Sequence, residues 1–141
     1  AIQSAGIRVN GCFILGLDGH DARVFSDVYD FAVRAELFDV QITLQTPFPG
    51  TPLHARLQRA GRLLPACGWE HCTLFDVMYV PSHMGVEELR QGFRDLSVRL
   101  YAEEITRWRR ENFKAKYWKP AGRMRPPRPR APLSAGTTTG G

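Results

Sequence analysis

The stretch IRVNGCFILGLDG, residues 7–19, decides the fold. Seven apolar or β-branched residues lie between Ile7 and Leu17, too few for a useful helix but enough for a strand covered on both faces, as parallel sheets demand. Gly16 and Gly19 then bracket Leu17-Asp18, where the missing Cβ lets the backbone turn sharply and approach a ligand closely. A buried strand ending in a glycine turn before a helix is how an α/β sheet presents backbone groups at its carboxyl edge, where such folds bind ligands.

Working outward, Asp21 is the expected N-cap of a helix to about Leu37, because Val24, Val28, Phe31 and Ala35 recur at three- and four-residue spacing. Asp39 to Gln45 reads as the second strand, with Gln41, Thr43 and Gln45 on one face and Ile42 and Leu44 on the other. In the first strand Asn10, Cys12 and Ile14 likewise oppose Val9, Phe13 and Leu15. Two parallel strands with apolar outer faces under helices and more polar inner faces predict an open or partly closed barrel with a wet interior. Thr46-Pro47-Phe48-Pro49-Gly50 is a rigid loop, and Thr51 caps a helix with Pro52 at its first position, running to about Ala60 and ended by Gly61. Cys72–Val80 reads as a third extended segment stopped by Pro81, and Met84 to about Phe113 as one long amphipathic helix. Ahead of the first strand, residues 1–5 read like the last turn of a helix with Gly6 as its cap, so the chain resembles a piece of something longer.

With 141 residues the chain is one domain's worth, too short for a closed eight-unit barrel of roughly 250 residues. The net charge of +5 is local: Arg123, Arg125, Arg128 and Arg130 have no acidic neighbour, and the 15 remaining basic residues meet 14 acidic ones. A nearly neutral body argues against a nucleic-acid-binding domain. The segment from Pro120 is rich in Pro, Arg, Gly and Thr, has almost nothing to bury, and is expected to be disordered. Three cysteines, Cys12, Cys67 and Cys72, cannot all pair, and with no signal peptide or transmembrane run the expected setting is the cytoplasm.

FILGLDG at 13–19 followed by QTPFPGTPL at 45–53 resembles the fifth and sixth strands of the radical S-adenosylmethionine (SAM) barrel. LFDV at 74–77 and EELRQGF at 87–93 are similar to the C-terminal extension of cobalamin-binding-domain-containing radical SAM proteins, so that the resemblance spans about residues 1–113. It implies an α/β fold, with the C-terminal portion of a partial (β/α) barrel over residues 1–60 and an extension with the long amphipathic helix over 61–119, to which composition adds the disordered tail over 120–141. It also implies that a [4Fe-4S] cluster reductively cleaves SAM and that the resulting radical takes hydrogen from a small-molecule substrate of unknown identity. Carried over residue by residue, Ile14, Gly16, Gln45 and Thr46 stand nearest the cofactor, and Asn10, Cys12, Gln41 and Thr43 line the substrate cavity. The three-cysteine loop CxxxCxxC is absent, as is the glycine-rich segment for the methionine end of SAM. The expected partner is therefore an N-terminal half of the same protein, carrying the cluster ligands and, in a cobalamin-dependent methyltransferase, a cobalamin domain. The fragment alone is expected to be inactive.

Other residues invite plainer readings. Cys12 on a strand is more often a small core hydrophobe than a ligand. Cys67, His71 and Cys72 lack the paired spacing and fourth ligand of a zinc site, so no metal site is assigned. Gln41, Thr43 and Gln45 satisfy one another as readily as a ligand, and His54 reads as a surface histidine. The competing class is a non-catalytic binding module whose arginine-rich tail holds RNA or an acidic partner. Nucleic acid is not the expected partner, because no aromatic residue interleaves the basic residues between Arg123 and Arg130.

Overall fold

Strand β1, Asn10–Leu15, and strand β2, Asp39–Leu44, pair parallel in the register Asn10↔Asp39 to Leu15↔Leu44, in a computed structural model that describes residues 2–65 and 68–118. The tail from Pro120 and Cys67 lie outside the described residues. Helix α1, Arg23–Arg34, connects the two strands. Its start follows Asp21, whose carboxylate accepts from the Arg23 backbone N–H at 2.9 Å, and it stops three residues before Leu37. Helix α2, Pro52–Arg59, begins where expected, with Thr51 Oγ1 accepting from the His54 N–H at 3.3 Å. Helices α3, Val86–Tyr101, and α4, Glu103–Tyr117, complete the described chain.

The strand alternation becomes a two-faced sheet. Ile42 and Leu44 on β2 and Leu15 on β1 are buried in one cluster with Val28 and Ala32 of α1 and Leu89, Leu96 and Leu100 of α3. Burying each such aliphatic side chain is worth about 1.5–3 kcal/mol, so this face holds the helices to the sheet. Helix α3 comes so close to α1 that a Cβ on Gly92 would run into the Phe25 ring. On the opposite face Asn10, Cys12, Ile14 and Gln41 are exposed or nearly so, and Thr43 is half-buried.

The two edges of the sheet differ. Asp39 N–H donates to Val9 O at 3.2 Å and Gln45 N–H to Leu15 O at 2.8 Å, so by parity the backbone groups of Val40, Ile42 and Leu44 point away from β1. Those outward donors are all taken: Val40 N–H by Asp39 Oδ1 at 3.0 Å, Ile42 N–H by the Tyr101 hydroxyl at 3.3 Å, and Leu44 N–H by Leu74 O at 2.7 Å. On β1 the matching outward groups belong to Asn10, Cys12 and Ile14, and no hydrogen bond among the described residues uses their N–H. One edge is sealed and the other open.

Two expectations are corrected. Cys72–Val80 is not a strand: Leu74 sits at φ +69°, Thr73 Oγ1 donates to Asp76 at 2.8 Å and accepts from Phe75 N–H, and this local turn leaves only a bridge between Leu63 and Tyr79. The single long helix is two. Ala102 is extended, at φ −51° and ψ 138°, Glu103 and Glu104 start α4, and the buried Arg109 of α4 folds back so that Nη2 donates to Leu100 O at 3.0 Å. The apolar rhythm runs through this break because both helices bury a face against the same sheet. The first turn, Gln3–Ala5, is a short 3₁₀ segment closed by Gly6 at φ +81°.

Candidate functional site

At the carboxyl end of β1 the chain enters Gly16-Leu17-Asp18-Gly19, and the geometry of this turn is imposed by residues far away in sequence. Gly16 is buried at φ +84°, and a Cβ there would stand 2.5 Å from the Tyr79 hydroxyl and 3.0 Å from Leu89 Cδ2. The Tyr79 hydroxyl donates to the Gly16 carbonyl. Burial, reinforced by the charge of Asp18, pushes the Tyr79 phenol up to about 12, so it remains a neutral donor.

Asp18 is the hub of the turn. Its carboxylate pairs with Arg56 of α2, accepts from Arg62 Nη1 at 2.9 Å and accepts from Ser82 Oγ at 3.1 Å. The bond from Arg56, then that from Arg62, lowers its pKa to about 2 against a smaller opposing effect of burial. Arg62 also donates through Nε to Val80 O at 2.7 Å and lies over the Tyr79 ring, 5.9 Å from its centroid. The turn is thus clamped by α2, the Arg62 strand-like segment and the Tyr79–Ser82 segment together.

The open sheet face begins beside this clamp. Cys12 stands opposite Gln41, with Sγ 3.8 Å from Oε1, and Ile14 stands opposite Thr43 and is 55% exposed. Gln45 continues that face past the end of β2; its side-chain oxygen is buried and has no hydrogen-bond partner among the described residues. Thr46 turns inward instead, its hydroxyl donating to Leu44 O at 3.2 Å. Of the eight residues named from the sequence, Asn10, Cys12, Ile14, Gln41, Thr43 and Gln45 share the open face, whereas Gly16 and Thr46 are buried at its carboxyl rim. An exposed apolar side chain on this face and, past the end of β2, a buried amide oxygen that lacks a donor among the described residues fit the flat face and exocyclic amine of an adenine. A [4Fe-4S] cluster does not fit the described residues: no group of three or more His, Cys, Asp or Glu among them can hold a metal ion. His20, next to the turn, also has a buried Nδ1 without a partner among the described residues and lines an open cleft of about 430 Å³ with Asp21, Arg23 and Asp27.

Tyr79, Arg56, Arg62 and Ser82 were not evident from the sequence. The available signal was Asp18, a carboxylate between two glycines at a carboxyl edge, which has to find cations in the fold.

Among known proteins, residues 51–135 match the family described as "Domain of unknown function (DUF4070)". The chain is also similar to the bacteriochlorophyllide d C-12(1)-methyltransferase of Chlorobaculum tepidum, 30% identical over 95 residues, which is 67% of this chain. It spans 20% of that relative's length. Among the described residues no helix is long and apolar enough to cross a membrane.

Proposed function

The chain belongs to the DUF4070 family, and from that premise we propose that it is the C-terminal part of a radical SAM enzyme, in which β1 and β2 are the last two strands of a partial barrel. The observation that carries this reading is the asymmetry of the two-stranded sheet: helices cover one face, the other is open and mostly polar, the β2 edge is sealed, and no described residue takes the outward donors of the β1 edge. A free edge on an apolar strand calls for another strand, and adding strands at β1 would turn the open face into the wall of a cavity. The DUF4070 segment supplies two of the three sealing groups, Leu74 and Tyr101, and the clamp on the Gly16–Gly19 turn.

In this reading Ile14 and Gln45 hold the adenine, the Gln45 oxygen accepting from its exocyclic amine, while Gly16 and Thr46 shape the rim and Asn10, Cys12, Gln41 and Thr43 face the substrate. Bound there, SAM supplies the carbon chemistry of the parent enzyme. The likeness to a methyltransferase favours methyl transfer as that chemistry, with the cluster ligands, and cobalamin where it is used, carried by the preceding part of the protein. The coding sequence upstream should then contain CxxxCxxC. In the protein that includes it, Gln45→Leu should raise the Kd for SAM by about tenfold, the worth of one hydrogen bond, with unchanged melting. Affinity for SAM that is indifferent to both Gln45→Leu and Ile14→Asp would sink the assignment of this face.

A further inference from the structure

At the amino end of the strands, opposite the glycine turn, the fold assembles a second cleft that the reading above does not use. Arg8 precedes β1, Phe38 precedes β2, and both meet the last turns of α4. The cleft, about 370 Å³, is lined by Arg8, Phe38, Arg110, Phe113, Lys114 and Trp118. Its floor is aromatic: Phe38 and Phe113 pack edge to face at 5.2 Å, and Arg8 lies 5.1 Å from the Phe38 centroid and 5.7 Å from that of Trp118. Trp118 remains 51% exposed, which leaves ring surface uncovered.

The charge of the cleft is not neutralised. Arg8, Arg110 and Lys114 take part in none of the ion pairs among the described residues. Of the carboxylates closest in sequence to the lining residues, Glu36 pairs with Lys116, Glu103 with Arg107, Asp39 accepts from the Val40 N–H, and Glu111 lines the adjoining cleft together with Arg110 and Lys114 without an ion pair to either among the described residues. Residues 112–141 contain no Asp or Glu and include Arg123, Arg125, Arg128 and Arg130, so the sequence that follows adds no carboxylate to balance these cations.

We propose that this cleft binds one nucleotide of a single-stranded nucleic acid, the base stacking on Trp118 and the phosphates meeting Arg110, Lys114 and Arg8. A flat ring satisfies the uncovered aromatic surface and a phosphodiester satisfies the cations. A run of arginines following directly in sequence suits a polyanion rather than an isolated anion. The tail has no aromatic residue of its own, which is why its sequence points away from nucleic acid; the fold supplies the rings from the start of β2 and from the end of α4 instead. Neither the cleft nor its charge depends on the radical SAM reading.

The test uses the full chain, with fluorescence anisotropy of a labelled oligoadenylate and, as competitors, adenosine monophosphate and heparin. Trp118→Ala should weaken oligoadenylate binding about fivefold or more, the worth of one base–aromatic stack. Arg110→Ser/Lys114→Ser should weaken it about tenfold and lower the log–log salt slope by roughly 1.4, because two phosphates are left without their cations. All three side chains are exposed, so these variants should melt like the parent; Arg8→Ser, on a different element, should reproduce the loss. Heparin should be insensitive to Trp118→Ala. The proposal is overturned if Trp118→Ala leaves oligoadenylate binding unchanged, if adenosine monophosphate binds as tightly as the oligomer, or if binding depends only on the four tail arginines.

Discussion

Gly16→Ala tests the clamp at the carboxyl rim, because the cost of a single methyl there can be worked out from the structure. A left-handed backbone at φ +84° costs an L-residue roughly 1–2 kcal/mol. The new Cβ would also stand 2.5 Å from the Tyr79 hydroxyl, so the ring must move and its buried hydrogen bond to the Gly16 carbonyl is lost, for about 1–3 kcal/mol. The expected loss is about 2–5 kcal/mol, a large share of a domain's typical 5–15 kcal/mol. Urea denaturation of the full chain measures it, and a double-mutant cycle locates it. Tyr79→Phe removes the hydroxyl that collides, so Gly16→Ala should cost at least about 1 kcal/mol less in that background. Gly19→Ala is the control, since a Cβ at Gly19 meets nothing within 4 Å. Equal costs for Gly16→Ala and the control, or simple additivity of the Gly16 and Tyr79 substitutions, would refute this account of the clamp.

Asp18→Asn should flatten the acid limb of stability: with the native carboxyl at about 2 against 3.8 ordinarily, the stabilisation is fully present above about pH 4 and disappears as pH falls toward 2, as urea midpoints across that window would record. Ile14→Ala should cost little in the isolated chain, being 55% exposed, whereas Ile42→Ala on the covered face should cost about 2–5 kcal/mol; equal losses by denaturant titration would contradict the two-faced sheet. Arg109 is buried with Nε and Nη1 unpartnered among the described residues, and burial lowers its pKa, so Arg109→Met should be at least about 1 kcal/mol less destabilising than Arg109→Ala in the same assay.

The parity of the two strands was legible because a period of two is written directly into the residues: Ile42 and Leu44 against Gln41, Thr43 and Gln45. The Thr51-Pro52 helix start was legible for the same reason, as a local rule with a local cause. What failed were features decided at a distance. Ala102 looks like any helical alanine, and the chain breaks there because α4 turns to bury Phe113 beside Phe38 and Arg109 against the end of α3. Cys72–Val80 has strand-like composition, but Leu44 needs only one acceptor, and Leu74 provides it from a turn. At the site, the sequence named the open face and the glycine turn; it did not reveal that Tyr79, Arg56, Arg62 and Ser82 hold that turn, because a pairing across 38 to 64 residues leaves no local pattern.

The DUF4070 match begins at Thr51, yet the fold does not divide there. Leu15, Val28, Ala32, Ile42 and Leu44 before that point and Val77, Met84, Leu89, Leu96 and Leu100 after it form one buried cluster. Among the described residues, the side chains that hydrogen-bond or crowd the Gly16–Asp18 turn come from the matched segment: Tyr79 and Leu89 against Gly16, and Arg56, Arg62 and Ser82 on Asp18. The same segment closes the β2 edge through Leu74 and Tyr101. The matched segment therefore ends a sheet and sets the shape of the turn at its carboxyl rim. Whatever binds at that rim meets a backbone whose conformation residues of the DUF4070 segment impose, although the open-face side chains Asn10, Cys12, Ile14, Gln41, Thr43 and Gln45 all precede that segment.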